Sequence, residues 1–152
     1  MAPNAQNKIV GFEKEDVSNG VTRIIDAEEF NGSITKRVEL KSWANFNPNY
    51  NFAGQFRGDL LQEGQGLIGI KWVFDGKGAF SQSGVPNYTY LKTNVRNSIS
   101  NNAGLFDNPS IRQKFEDFGK VANPNLVIDD IDDLLNFINN TDGWFNLMFK
   151  IE

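Results

Sequence analysis

The sequence predicts a single domain of the α/β (α+β) class over residues 1–152. In the first half, three runs of alternating polarity are separated by turns that contain Asn-Gly, a strong hairpin pattern. The apolar period then changes to that of a helix, and a short apolar run bounded by glycine follows. The second half is mainly helical in pattern. We therefore expect a core over about residues 8–75 and a mainly helical extension over about residues 86–152.

The three runs predict a three-stranded meander. They are KIVGFEKEDV (8–17), VTRIIDAEEF (21–30) and ITKRVELKSW (34–43). Because side chains alternate along a strand, Glu39 and Lys41 are expected to project side by side from one face of the third strand. A solvent-exposed strand with a charged face gives the same pattern as a shared site, so the alternation leaves both interpretations open.

The remaining elements follow from the apolar period. Residues 50–63 predict a helix, since Phe52, Phe56 and Leu60 recur every four residues. Residues 67–74 predict a buried strand. Three further helices are expected over 87–100, 110–121 and 130–139. The weak alternation of 144–151 is compatible with a last strand or with a helix tail.

Composition restricts the chemistry that the chain can perform. It contains neither His nor Cys, which excludes serine–histidine triads, thiolate zinc sites and cysteine nucleophiles. Any catalysis must then use carboxylates, lysine, hydroxyls or a metal held by oxygen ligands. The formal charge of −4 argues against a simple basic surface for nucleic acid. It is compatible with an acidic pocket that a metal ion neutralises.

The sequence predicts neither a signal peptide nor a membrane span. The opening MAPNAQNK has no apolar segment of the kind that signal peptides carry. No stretch reaches the roughly 20 apolar residues that cross a bilayer. We therefore expect no membrane partner.

Asp26 completes a candidate site with Glu39 and Lys41. It lies on the second strand, one tight turn before the third strand. Pairing of the two strands would bring its carboxylate close to the other two side chains. Two carboxylates offer the hard oxygen ligands that Mg²⁺ or Mn²⁺ prefers. Such a metal lowers the pKa of its bound water, and a lysine can stabilise charge on a phosphate.

These residues carry a resemblance to a known superfamily. RIIDAEEFNGSITKRVELKSW resembles the PD-(D/E)xK restriction-endonuclease-like nucleases, in which an Asp on one strand precedes Glu-x-Lys on the next. The strand–strand–strand–helix–strand order is similar to that family's core after its first helix. VELKSW, GQFRGDL and GIKWVFD look most like nuclease toxin domains of bacterial polymorphic toxins. The similarity covers about residues 8–75.

The resemblance implies a restriction-endonuclease-like core and a Mg²⁺-dependent (or Mn²⁺-dependent) endonuclease acting on DNA or RNA, with DNA favoured. By position, Asp26 and Glu39 would bind the metal, Lys41 would be the catalytic lysine and Gln55 a polar site residue on the helix. It also implies the effector domain of an interbacterial toxin. Such a domain is delivered as part of a larger secreted protein and acts in the target-cell cytoplasm, with a cognate immunity protein as candidate partner.

The chain departs from the family pattern at two points. The family begins with a helix that bears a glutamate, and Ile25 stands where its motif has proline. Either Glu13 or Glu15 substitutes for that glutamate, or the first helix lies elsewhere.

Other charged residues have two interpretations each. Glu28 and Glu29 are expected at a strand end in water, and Lys71 either contacts phosphate beside the site or extends its amine to solvent. Five basic residues would be scattered surface charge or would follow a nucleic-acid backbone: Arg57, Lys92, Arg96, Arg112 and Lys114.

An alternative of another class is a non-enzymatic acidic binding protein, such as an immunity or adaptor protein. Its surface would include residues 129–133, Glu116 and Asp117, and would engage a basic partner. Residues 129–133 also suit a helix N-terminus, where the dipole favours acidic side chains.

Overall fold

The fold is a mixed sheet with helices packed against one face. The computed structural model describes residues 8–18, 21–41, 52–74, 81–82 and 85–152. The strands are β1 (Lys8–Ser18), β2 (Val21–Phe30), β3 (Thr35–Lys41), β4 (Ile70–Phe74), β5 (Ser81–Gln82), β6 (Val85–Pro86) and β7 (Phe149–Ile151). The helices are α1 (Phe52–Gln62), α2 (Tyr88–Asn101), α3 (Ala103–Phe106), α4 (Pro109–Lys120), α5 (Ile131–Asn140) and α6 (Gly143–Met148).

The described residues form a five-stranded sheet in the order β1-β2-β3-β4-β7. β1, β2 and β3 pair antiparallel, so the predicted meander is confirmed. β4 pairs parallel to β3, and β7 pairs parallel to β4. Parallel neighbours need a long crossover. The segment that contains α1 joins β3 to β4, and the segment that contains α2–α6 joins β4 to β7.

The turn between β2 and β3 has a local cause. The Asn31 side chain accepts hydrogen bonds from the backbone N–H groups of Ser33 (3.0 Å) and Ile34 (2.9 Å). Gly32 has φ 94°, a left-handed conformation that glycine adopts without a Cβ clash. These two residues hold β3 beside β2 in a fixed register.

An aromatic cluster joins the sheet to the helices. Phe52 and Phe56 of α1 pack against Trp72 of β4 and Phe149 of β7, and all four rings are fully buried. The Phe52 and Trp72 ring centroids are 5.0 Å apart at an interplanar angle of 75°. Edge-to-face pairs of this kind add to the hydrophobic gain of burial. The same cluster therefore fixes where α1 sits on the sheet.

Each predicted helix is present, and three of them begin at a cap that the sequence supplies. Asn87 and Asn108 accept backbone N–H bonds at the starts of α2 and α4, and Pro109 is the first residue of α4. Asp130 accepts from the Asp133 N–H, and Asp133 accepts from the Asp129 N–H. The acidic segment 129–133 thus forms the start of α5.

Two boundaries differ from prediction. Residues 67–69 form a 3₁₀ turn rather than the start of a strand, since Gly66 (φ 80°) accepts from the Gly69 N–H at 3.2 Å. Residues 144–151 contain both predicted alternatives, because the helix ends at Met148 and the next three residues pair with β4. Among the described residues, no helix is both long and apolar enough to cross a membrane.

We predict that Gly119→Ala destabilises the contact between α4 and α5. A Cβ at Gly119 would overlap the Leu126 Cδ2 atom and would lie 2.8 Å from Cε2 of Phe137. Overpacking of this kind costs about 1–3 kcal/mol. Urea unfolding measures the change in the free energy of unfolding.

The control for this prediction is Gly104→Ala in α3. A Cβ there meets no atom within 4 Å, and alanine favours helix, so the free energy of unfolding should stay equal or rise. Equal stability of the two variants would contradict the prediction.

Candidate functional site

Glu39 and Lys41 contact one another on the face of β3 that lies against α1. We call this the inner face, and it bears Arg37, Glu39 and Lys41. The Lys41 Nζ atom lies 3.1 Å from Glu39 Oε2. Glu39 is only 3% exposed, whereas Leu40 on the outer face is 50% exposed. The pair is therefore an ion pair inside the protein, and the interpretation as a solvated strand face does not apply to it.

Asp26 lies against the same segment of β3. The β2–β3 ladder runs from Phe30–Thr35 to Ala27–Val38, and Asp26 is the next residue of β2. Its Oδ2 atom accepts a hydrogen bond from the Leu40 backbone N–H at 2.7 Å. Leu40 separates Glu39 from Lys41 along the strand. The Asp26 carboxylate is thus attached to the β3 backbone between the two other predicted site residues.

Gln55 lies on α1, the helix that covers the inner face. It is partly buried and stands one helical turn before Asp59. The predicted helix therefore carries Gln55 over the same side of the sheet as Glu39 and Lys41.

Two residues that the motif does not include lie next to this pair: Trp72, which contacts Lys41, and Asp59, which contacts Trp72. The Lys41 Nζ atom lies 4.9 Å from the ring centroid of Trp72, over its face. The Trp72 indole N–H donates to Oδ2 of Asp59 at 3.0 Å. Asp59 could have been noticed in the sequence, because it interrupts the apolar stripe of α1 between Phe56 and Leu60. Its contact with Trp72 joins distant segments, and no local pattern predicts it.

A second ion pair lies on the inner face beside the first. Arg37 Nε is 3.7 Å from Glu63 Oε2, and Glu63 is 3% exposed. The Gln65 backbone N–H donates to Glu63 Oε1 at 2.7 Å. Gly69 leaves space for this carboxylate, which a Cβ would overlap. Burial lowers the pKa of Lys114, and the nearby Glu63 carboxylate opposes that shift.

The outer face carries a separate ion pair. Lys71 lies opposite Val38 in the β3–β4 ladder, so it projects away from Glu39. Its Nζ atom lies 3.3 Å from Glu29 Oε2, and the Glu29 side chain is 12% exposed. The expectation of Glu29 in water was wrong, because pairing with Lys71 holds it against the sheet. A phosphate contact by Lys71 beside Glu39 is ruled out by the register.

The basic residues of the helices have structural partners. Arg57 donates to the Leu105 carbonyl oxygen at 2.8 Å. Arg96 donates to the carbonyl oxygens of Ile138 (2.8 Å) and Thr141 (3.0 Å) at the end of α5. The other three pair with neighbouring polar side chains: Lys92 with Asp142, Arg112 with Asp107, and Lys114 with Ser110.

Register distinguishes the two glutamates of β1. The residues on either side of Glu13 pair with the two neighbours of Asp26, so Glu13 occupies the ladder position beside Asp26. Glu15 pairs instead with Ile24. Both side chains lie outside the described residues. The backbone register thus puts residue 13, and not residue 15, beside Asp26.

The predicted metal ligands offer suitable atoms but no large acidic cluster. Asp26 and Glu39 present only carboxylate oxygens, the ligands that Mg²⁺ and Mn²⁺ prefer. Glu39 Oε2 faces the Lys41 ammonium, so a cation would share or replace that countercharge. Within the part of the chain that the structure describes, no group of three or more His, Cys, Asp or Glu residues is arranged to hold a metal. The donor chemistry suits a two-carboxylate site.

Comparison of the chain with protein-family models, with curated proteins and with solved structures gives no match.

We predict that Lys41→Met lowers the free energy of unfolding by about 2 kcal/mol, because it removes a cation beside a buried carboxylate. The double variant that also carries Glu39→Gln should recover part of that loss, since a neutral amide then replaces the buried carboxylate. Urea unfolding of the two single variants and the double variant gives the coupling energy.

The matched control is Lys120→Met. Lys120 pairs with Glu116 one turn away on α4 and is 40% exposed, so its loss should cost only about 0.3–0.5 kcal/mol. A loss in Lys41→Met no larger than in the control would contradict the prediction.

Proposed function

We propose that this protein is a metal-dependent endonuclease that hydrolyses phosphodiester bonds of DNA or RNA, with DNA favoured. The observation that carries the proposal is the joint placement of three predicted residues. Glu39 and Lys41 pair inside the protein, and Asp26 bonds to the backbone of the residue between them. Burying a carboxylate and an ammonium costs free energy that apolar side chains would not. A reaction site gives a reason to retain them.

The strand order supports a restriction-endonuclease-like core. An antiparallel meander, a helix and a strand parallel to β3 follow one another along the chain. This is the order that the sequence resemblance implies after the family's first helix. β2 carries Asp26 and β3 carries Glu39 and Lys41. These two strands are neighbours near the centre of the sheet.

Each residue has a role in the proposed reaction. Asp26 and Glu39 would hold Mg²⁺ or Mn²⁺, and such an ion would supply polarisation of a phosphoryl oxygen and a lowered pKa of a water molecule. Lys41 neutralises Glu39 and presents its ammonium to the phosphate, where negative charge develops during attack. Gln55 on α1 contributes a polar amide to the same side of the sheet.

The proposed setting is the effector domain of an interbacterial toxin. The domain is delivered as part of a larger secreted protein, acts in the target-cell cytoplasm and meets a cognate immunity protein. The sequence resemblance to polymorphic-toxin nuclease domains supports this setting. The alternative is an acidic surface that engages a basic partner, and it includes Asp130 and Asp133, which are exposed and also hydrogen-bond to backbone N–H groups at the start of α5.

We predict that the purified protein cleaves plasmid DNA or total RNA only when Mg²⁺ or Mn²⁺ is present. Asp26→Asn, Glu39→Gln and Lys41→Met should each reduce the cleavage rate by roughly 100-fold or more, since each removes charge from the reaction site. Gel electrophoresis of time courses measures the rate.

The matched control for cleavage is Glu29→Gln. It removes a carboxylate from an ion pair on the outer face of the same sheet, so cleavage should stay close to that of the wild type. Absence of cleavage by the folded wild-type protein on either nucleic acid would exclude the proposal and favour a binding protein.

Metal binding should also raise thermal stability. Binding to the folded state alone stabilises by about 2.7 kcal/mol at a roughly hundredfold excess over the dissociation constant. We expect millimolar Mn²⁺ to raise the Tm of the wild type and of Glu29→Gln, and to raise that of Glu39→Gln much less. Scanning calorimetry measures the three shifts. An equal rise in Tm in all three proteins would show that the metal binds at a site that does not include Glu39.

A further inference from the structure

Lys41 has contacts on two sides that restrict its ammonium. Glu39 Oε2 lies 3.1 Å from Nζ, and the face of the Trp72 ring lies 4.9 Å away from it. A lysine has four flexible methylene groups, and its charge has no preferred direction. The salt bridge to Glu39 fixes only the distance between the ammonium and that carboxylate, and it leaves the direction of the ammonium free. The ring adds a surface on which the ammonium rests, through a cation–π attraction.

The Trp72 ring is itself held in a fixed orientation. It is fully buried, and Glu39 is its ladder partner on β3. Phe52 and Phe56 meet it edge to face, with centroids 5.0 and 6.1 Å from its own. At the ring edge, the indole N–H donates to the Asp59 carboxylate at 3.0 Å.

Asp59 brings a carboxylate to the edge of the Trp72 ring. The residue is 1% exposed, and burial of a carboxylate in a protein interior costs several kcal/mol. Asparagine has nearly the same size and would also accept the indole N–H bond. What aspartate adds is negative charge at the edge of the ring. That charge polarises the indole, makes the ring face more negative and strengthens its attraction for a cation.

We propose that Asp59 and Trp72 are positioning residues for Lys41. Asp59 strengthens the attraction of the indole ring for the Lys41 ammonium. The ring in turn holds that ammonium beside Glu39, close to the point where Asp26 bonds to the β3 backbone. This inference rests on the proposed function, because it names the residues that position the lysine of the proposed active site. The contacts themselves exist in the folded protein whether or not it cleaves nucleic acid.

Two substitutions separate the parts of this arrangement. Asp59→Asn keeps an acceptor for the indole N–H and removes the charge. Trp72→Phe keeps an aromatic face under Lys41 and removes the N–H. If Asp59 serves only as a hydrogen-bond acceptor, Asp59→Asn leaves the effect of Lys41→Met unchanged, whereas the proposal requires the two substitutions to be coupled.

The first test is spectroscopic and is independent of activity. Indole ¹H–¹⁵N spectra are recorded for the wild type, Asp59→Asn and Lys41→Met, and Trp72→Phe assigns the Trp72 signal. We expect this signal to shift in both Asp59→Asn and Lys41→Met, although Lys41 contacts the ring face and not the N–H. The Trp144 signal, whose N–H donates to Ile138, should stay in place. A Trp72 signal unchanged in Lys41→Met would overturn the proposal.

The second test measures coupling between Asp59 and Lys41. Unfolding temperatures are compared for Asp59→Asn, Lys41→Met and the double variant. The double variant should lose less than the two single losses added together, because either substitution removes the same interaction through the ring. Additive losses would overturn the proposal. If Asp59→Asn does not fold, the same cycle is measured with Trp72→Phe.

Cleavage provides the third measurement. Asp59→Asn should lower kcat by about tenfold to a hundredfold with KM unchanged, since a misplaced ammonium affects the reaction more than substrate binding. If the wild type cleaves and Asp59→Asn cleaves equally well, the positioning role is wrong while the nuclease proposal stands. If the wild type does not cleave, the nuclease proposal fails and the two preceding tests still decide the role of Asp59.

Discussion

Charge buried on the inner face of β3 is the constraint on which the site depends. Arg37, Glu39 and Lys41 alternate along a strand that lies at the centre of the sheet and under α1. A buried charge is tolerated only when it is paired and hydrogen-bonded. The chain meets this condition by pairing Glu39 with Lys41 on the strand itself, and by pairing Arg37 with Glu63 just after α1. The elements that cover β3 therefore contribute polar groups as well as apolar stripes.

The sheet topology brings those groups together. β3 joins an antiparallel half, which supplies Asp26, to a parallel half, which supplies Trp72. The parallel connection requires a crossover, and α1 in that crossover delivers Asp59 to the indole. A two-residue hairpin between β3 and β4 could not place a helix there. Because β4 runs parallel to β3, the chain has to cross over through α1. The Trp72 ring that contacts Lys41 and the Asp59 carboxylate that contacts Trp72 meet as a result of this crossover.

Local patterns in the sequence were sufficient for most elements and for the face of Glu39 and Lys41. The Asn-Gly turn, the four-residue period of α1 and the helix caps all act over a few residues, so a single sequence contains their causes. Alternation gives the face that two side chains share, but it does not say which face the helices cover. The burial of Glu39, the pairing of Glu29 with Lys71 and the contact of Asp59 with Trp72 depend on long-range packing. These features could not be read from the sequence.

Lys41 faces two different charge environments in the proposed site, one without and one with a bound cation. Without a cation, its ammonium lies 3.1 Å from Glu39 Oε2 and balances the charge of that carboxylate. A divalent cation held by Asp26 and Glu39 would take over that balance and repel the ammonium. Lys41 would then keep its attraction to the Trp72 ring, which carries no net charge and does not compete for the cation. Under the proposed function, Lys41 would then be available to a phosphate, and its contact with the Trp72 ring would keep it at the site.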